Sequence, residues 1–347
     1  MFKKKIVKFG KSTRDLDKIK QDLYYNNSNL LKVQNKIKKI YLSQPRRKKC
    51  KACSIRLHGY SFVNHGIKYI ECKNCGHING NNQDTVAFAN KIYISKKINY
   101  FKTYFEKNIK KFNIRQKKIY DPKAKFLKNV FANHKTVRVL DVGAGSGYFV
   151  LSLIDAGFKD VIGLEISNDQ VNFGKKILKK LKKDENKLIN LSYKNILKFI
   201  EKTDFNCISL MGVLEHLTDM PVILKTIKEN KNIKYIYLQV PMFSFSCICE
   251  NIFQQIFNRH LGGGHTHLFT EKSLIKLMKK YGFKDHSAWW FGTDFSDLYR
   301  SISVSMQSKN YLPLYKKINE IKNLLDKFQF ELDKKKMSTL VHIGFKR

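Results

Sequence analysis

Three groups of residues have types and spacings that could do chemistry. The first lies in Val139–Phe149, VLDVGAGSGYF, where glycines at 143, 145 and 147 follow an apolar run carrying Asp141. Glycine at alternate positions removes Cβ atoms, so backbone amides can touch a ligand. A dinucleotide loop reads G-x-G-x-x-G, its third glycine allowing close helix–strand packing. Here the third glycine comes one residue early, and Tyr148 stands where the dinucleotide pattern wants glycine. Glu165 ends the next apolar run, 18 residues after Gly147. A carboxylate there could accept both hydroxyls of a ribose. The second group is Cys50, Cys53, Cys72 and Cys75, spelling C-x2-C-x18-C-x2-C, a zinc spacing. Each pair places two thiolates on a tight knuckle. Two knuckles close a tetrahedron with no open position, which makes the metal structural. His65 and His77 are substitute ligands, and Cys207, Cys247 and Cys249 read as packed thiols. The third group is His216, His265 and His267. Imidazole titrates near neutral pH and suits proton removal from a hydroxyl. The triplet Gly262–Gly264 gives the segment ahead of the last two freedom to fold over a ligand.

The elements that must position these groups follow from pattern. From residue 136 short apolar runs alternate with amphipathic stretches: strands TVRVLDV, DVIGLEI, FNCISLMG and KYIYLQVP, with NLSYKNI a weaker one. Between them lie helices, one closed by Gly157, one opened by Pro221 and one closed by Gly282. DHSAWWFG and STLVHIGFK are late strands on either side of a helical insert. This alternation predicts βαβ units and a mainly parallel sheet, with ligands outside the carboxyl ends of its strands. The glycine loop, Glu165, Asn195 and MGVLEH then share one rim. Ahead of it, residues 1–48 form a basic, partly helical arm, 49–80 a cysteine-rich ribbon, and 81–135 a helical connector. Residues 136–347 form the main domain, with inserts at 242–268 and 294–336.

Composition bounds the alternatives. Of 347 residues 43% are hydrophobic, enough for a globular core. No apolar run is long enough for a transmembrane helix, and the basic start lacks the apolar core of a secretory signal, so a cytoplasmic protein is expected. The formal charge of +39 suggests nucleic acid. Only nine of the 67 basic residues are arginine, the better fork for phosphates and base edges, and this weakens that reading. The local excess is in residues 1–49, with 16 basic side chains against three acidic.

VLDVGAGSG resembles the first motif of the class I S-adenosylmethionine-dependent methyltransferases, and the resemblance covers roughly residues 115–347. It implies a Rossmann-like fold with a mainly parallel seven-stranded sheet and helices on both faces. It implies S-adenosylmethionine on Asp141, Gly143, Gly145 and Gly147, with Glu165 and Ile166 at the ribose. Asn195 and Ile196 in YKNIL would flank the adenine, and Met211 and Gly212 in SLMGVLEHL would lie beside the transferable methyl. Many family members have aspartate where Asn195 stands, and an amide can still bond the adenine edge. The segment GGGHTHLFTEKSL, leading to a helix ending YGF, is similar to methyltransferases of surface-polysaccharide and sugar-nucleotide pathways. Certain sugar methyltransferases also carry a four-cysteine module at the amino terminus. That resemblance implies a sugar or sugar-nucleotide/glycan acceptor in surface polysaccharide biosynthesis, structural Zn2+ on the four cysteines, and His216, His265 and His267 as catalytic candidates. WWFGTDFSDLYRSI offers tryptophan faces and carboxylates that suit a sugar ring. The competing reading is an RNA methyltransferase holding RNA with ribbon and arm. Against it, no NPPY- or DPPY-like tetrapeptide occurs, and Cys207 sits within a strand.

Overall fold

Runs of residues apolar on both faces can only be buried between two layers, and this sequence has several of them from residue 136 onward. In the computed structural model, which describes residues 5–13, 19, 22–94, 108–131, 136–308 and 312–347, they form the centre of one large sheet. The strands, in chain order, are β1 (Ile6–Phe9), β2 (Ser61–Asn64), β3 (Ile67–Glu71), β4 (Ile78–Gly80), β5 (Val139–Val142) and β6 (Val161–Glu165). They continue as β7 (Leu188–Asn190), β8 (Cys207–Met211), β9 (Tyr235–Pro241), β10 (His267–Leu268), β11 (Lys284–Phe291) and β12 (Leu340–Lys346). The large sheet has the order β1-β11-β12-β9-β8-β5-β6-β7. Strands β7, β6, β5, β8 and β9 run parallel, and β12 lies antiparallel between β9 and β11.

This is the expected Rossmann-like α/β architecture, with one strand more than the seven expected. The extra strand is β1, from the basic arm, which pairs parallel to β11 at the sheet edge. Trp289 fixes it there, donating its indole N–H to the carbonyl of Gly10 at 2.8 Å. Two apolar layers cover the sheet. On one face pack helices Tyr193–Lys202, Met220–Glu229 and Glu271–Lys280, through Ile196, Ile200, Ile223, Leu224, Leu274 and Met278. On the other pack helices Asp121–Val130, Tyr148–Asp155 and Asn168–Lys180.

One expected strand moves. NLSYKNI is a strand only up to Asn190. Ser192 then accepts the backbone N–H of Asn195 and starts a helix, whose apolar face carries Ile196 and Ile200. The cap and the helical spacing of the isoleucines override the weak strand pattern. Of the helical connector expected over 81–135, residues 95–107 and 132–135 fall outside the described residues.

The cysteine-rich segment forms a second sheet, β10-β4-β3-β2. Its core joins Tyr69 and Ile78 of the ribbon to Ile37 and Tyr41 of helix Asn27–Leu42 and to Leu268 of the main domain. The insert after β11 contributes helices Asp294–Ser308, Leu312–Ile318 and Leu325–Lys334. Buried Asp294 ties it down. Its carboxylate accepts from Ser244 Oγ (2.6 Å), Ser246 N (2.9 Å), Thr339 N (3.0 Å), Thr339 Oγ1 (2.7 Å) and Gln329 Nε2 (3.1 Å). Asp294→Ala strands five buried donors, and the loss should reach about 3 kcal/mol or more. Urea denaturation measures it; a change under about 1 kcal/mol would show that water replaces the carboxylate.

Candidate active site at the carboxyl rim of the sheet

β5 and β8 pair in register, with Asp141 opposite Ser209. Ser209 Oγ donates to Asp141 Oδ1 at 2.6 Å. Asp141 is 1% exposed, and burial pushes its carboxyl up to about 7 despite that bond. Beyond β5 the chain turns through three left-handed residues, Gly143, Gly145 and Gly147, at φ of +78°, +56° and +77°. A Cβ on Gly143 would fall 2.4 Å from Val213 Cγ2, and one on Gly147 would fall 2.6 Å from Leu188 Cδ1. Both conformation and space therefore require glycine. Glu165, at the tip of β6, accepts the N–H of Gly145 at 2.9 Å and of Ser167 at 2.8 Å. Burial raises its carboxyl above the ordinary value. Asn190 at the end of β7 donates to the carbonyl of Glu165 at 3.0 Å.

At the end of β8, Met211 is half-buried and Gly212 takes φ +73°, donating its N–H to the carbonyl of Gln239 at 3.0 Å. The next turn carries Glu215 and His216. The trio Glu215, His216 and His265 has ligating atoms within 4.8 Å of one another. His265 Nδ1 donates to the carbonyl of His260 at 3.2 Å, which leaves its Nε2 as a lone pair. Burial lowers His265 to about 4 and His216 well below the ordinary imidazole value. Burial also pushes Glu215 up to about 8, so it carries a proton at neutral pH. Such spacing admits either a shared proton or a divalent cation.

His267 lies elsewhere. It has no exposed surface, and its Nδ1 sits 3.0 Å from His77 Nε2. Ser273 Oγ donates to the carbonyl of Thr270, so His77 Nδ1, 3.4 Å away, donates to Ser273 Oγ. His77 Nε2 is then the acceptor and His267 Nδ1–H the donor. The expectation of a reacting His267 is corrected: the ring joins the ribbon to the rim, two residues from His265.

In the ribbon, Cys50 Sγ lies 3.7 Å from Cys75 Sγ, and Cys53 Sγ lies 3.7 Å from Cys72 Sγ. All four sulfurs fall within 4.8 Å of one another. A tetrahedron with Zn–S bonds of about 2.3 Å has edges of roughly 3.8 Å, so the four thiols fit that ion. Asn79 Nδ2 points at Cys50 Sγ from 3.5 Å. His77 and His65 stay outside the sulfur cluster, His77 being turned to His267.

A family model described as a methyltransferase domain matches residues 102–288, just over half of the chain. The chain belongs to this family of S-adenosylmethionine-dependent methyltransferases. No curated protein matches it. Similar solved structures include the plantazolicin methyltransferase BamL, in complex with a triazolic desmethylPZN analogue and SAH, at 14% identity and TM-score 0.45, covering 75% of this chain and 94% of that one. Magnesium protoporphyrin IX methyltransferase (ChlM) from Synechocystis PCC 6803 with bound SAH has 14% identity and TM-score 0.45, covering 61% and 95%. A SAM-dependent methyltransferase from Archaeoglobus fulgidus has 17% identity and TM-score 0.41, covering 68% and 99%.

Within this methyltransferase the rim gathers Asp141, the three loop glycines, Glu165, Met211, Gly212, His216 and His265. Ile166 is exposed beside Glu165, and Asn195 is exposed on the first helical turn after β7. Ile196 points the other way, into the core. The tryptophans are also corrected: Trp289 and Trp290 are each 1% exposed and enter opposite core layers, as successive strand residues must. Asp294, Asp297 and Arg300 are buried in the network beneath the insert, so none offers a sugar-binding face. Sequence reading missed Ser209, Asn190 and Glu215. Glu215 lies next to His216 in sequence and was legible as a carboxyl–imidazole pair.

Asp141 makes a testable signature. A carboxyl raised from its unfolded value to about 7 adds stability in acid, fully present below the unfolded pKa and lost as pH climbs through about 7. Asp141→Asn removes that dependence. Relative to wild type, the variant should gain on the order of a few kcal/mol between about pH 3, below the unfolded value, and pH 8. Urea melts at the two pH values check it; an equal difference at both would mean the carboxyl titrates normally.

Proposed function

We propose that this methyltransferase acts on a hydroxyl of a sugar, sugar-nucleotide or glycan acceptor, as in surface polysaccharide biosynthesis. The observation that carries the reading is the Glu215–His216–His265 trio, set one turn beyond Met211–Gly212. S-adenosylmethionine, when bound, supplies a methyl group already activated on a sulfonium. Asp141, Gly143, Gly145, Gly147, Glu165 and Ile166 would hold it, with exposed Asn195 toward the adenine and Met211 and Gly212 toward the methyl, while Ile196 packs in the core. Glu165 would exchange its bonds to the loop for the ribose hydroxyls.

What remains for the protein is alignment and proton removal. His216 is neutral at physiological pH because burial opposes its charge, so it is ready to accept the acceptor's proton. His265 stands against it, with ring centroids 5.2 Å apart. Protonated Glu215, its Oε1 4.0 Å from His216 Nε2, would orient that ring by closing to hydrogen-bond distance. Zn2+ on Cys50, Cys53, Cys72 and Cys75 would be structural, fixing His77 and, through it, the segment that carries His265. The division into arm, ribbon, connector and methyltransferase domain follows this plan: the arm adds an edge strand, the ribbon shapes the rim, and the domain does the chemistry. No helix among the described residues is long and apolar enough to cross a membrane.

His216→Ala should lower kcat at least about 100-fold on a nucleotide-sugar acceptor, with S-adenosylhomocysteine affinity changed less than threefold. Radiolabelled methyl transfer across a panel of nucleotide sugars is the assay. Transfer to RNA and to none of the sugars would end the reading. A base held below the ordinary imidazole value stays competent in mild acid, so the acid limb of kcat/KM should fall below about pH 6.5.

Metal analysis should find one zinc per chain, and its chelation should lower the melting temperature. An unchanged melt after complete zinc removal would refute a structural metal.

A further inference from the structure

Beside the proposed methyl site lies a cleft of about 410 Å3, counting its open mouth. Its cations come from three distant parts of the chain: Lys11 after β1, Lys123 on helix Asp121–Val130, and Arg259 in the segment before β10. Thr13 and Thr293 add hydroxyls. Two of the cations have carboxylates nearby. Arg259 pairs with Asp297 at 2.7 Å, and Lys11 feels Asp326. Asp326 is itself engaged by Ser12 Oγ at 2.7 Å and by the N–H and hydroxyl of Thr13 at 2.8 and 2.6 Å.

Lys123 is different. It is 4% exposed, and its Nζ reaches Gln239 Oε1 at 2.5 Å. Among the described residues no carboxylate pairs with it, and burial, followed by the positive charges of Lys11 and Arg115, holds its amine well below the ordinary lysine value. His342, packed in the same region, is held well below the ordinary imidazole value by burial, with Lys123 and Lys11 adding to it, and among the described residues its buried Nε2 has no partner. A buried amine facing like charges keeps its proton only when a counter-charge is beside it. Gln239 is also the register partner of Met211, and its carbonyl receives Gly212 N–H, so the cleft begins one side chain from the proposed methyl site.

We propose that this cleft seats the diphosphate of a sugar-nucleotide acceptor, with Lys123, Lys11 and Arg259 facing the anion and the sugar directed toward Gly212 and His216. The inference rests on the methyl-transfer reading and narrows its acceptor to an anionic one. Basic side chains converging on a small cleft suit a compact dianion, whereas a nucleic-acid strand needs an extended basic track. Neutral glycans give Lys123 no counter-charge.

The test is calorimetry on the full chain in the presence of S-adenosylhomocysteine, with inorganic pyrophosphate, UDP and a single-stranded RNA as probes. Pyrophosphate and UDP should bind one per chain. Lys123→Gln and Lys11→Gln should each weaken both at least tenfold while leaving S-adenosylhomocysteine affinity within about threefold. Lys123→Gln should melt no lower than wild type, since it removes a buried charge; a lysine kept only for packing would lower the melt and leave pyrophosphate binding alone. Binding of neither pyrophosphate nor UDP, equal binding by both variants, or RNA displacing UDP would overturn the proposal. Failure of S-adenosylhomocysteine itself to bind would overturn the methyl-transfer reading, and this inference with it. Failure of pyrophosphate and UDP alone would leave that reading standing.

Discussion

The pairing of β4 with β10 decides where His265 sits against the rim of the large sheet. β4 belongs to the four-cysteine ribbon and β10 to the segment between β9 and β11, about 190 residues further along. His267 pairs with Asn79 and Leu268 with Ile78, and the His77–His267 contact ties the same two strands through their side chains. Because His265 lies two residues before His267, the seam sets its distance from His216. The isolated bridge between Met242 and Phe269 holds the other side of the segment against the end of β9. The ribbon is thus part of the wall of the site and not a bead on a tether. Buried Tyr69 reinforces this by accepting the N–H of Gly262 at 3.0 Å, so the glycine triplet is held at its first residue.

The basic composition hides an ordered use of charge. Most lysines are solvated, and their pairs with carboxylates are exposed and weak, as with Lys225–Glu229. The few buried charges are handled case by case. Arg47 and Lys51 share Asp84 where ribbon meets connector. Glu250 accepts the N–H groups of Arg259, His260 and Leu261 and the ring of His260, pinning the chain ahead of the glycines. Because Glu250 is filled by these donors, the nearby Cys247–Glu250–His260 cluster is a loop anchor. Lys123 breaks this pattern and so stands out.

The parts legible in sequence were those whose physics is local. The glycine loop needs left-handed φ within five residues. The knuckles need two thiols three apart. The βαβ alternation needs only period and punctuation. What was not legible depends on partners far along the chain. WW could have been a stacking platform or two core residues; only the sheet at Trp289 and Trp290, with helices on both faces, decides for the core. His267 looks like His265 in sequence, and only β10's pairing with β4 separates them. The strand in the arm has an ordinary basic sequence, IVKF, and becomes a strand because β11 presents an open edge. Lys123 reads as one lysine among many until the topology buries it beside Gln239.

The two carboxylates at the rim bring these threads together. Asp141 and Glu165 are buried side by side, each raised by desolvation, and Glu165 adds to the shift of Asp141. Left alone, the pair costs stability, which a core of leucines would avoid. Such an arrangement makes sense where a positively charged ligand completes it. A sulfonium nucleoside with an amino group carries that charge, and its departure as a neutral thioether removes part of it. With S-adenosylmethionine held at this rim as proposed, loss of the sulfonium charge would weaken the attraction of product relative to substrate. Opposite it, an anionic acceptor would meet the cations of the Lys123 cleft. The site would then draw each reactant to its own end by charge before any contact specific to either is made.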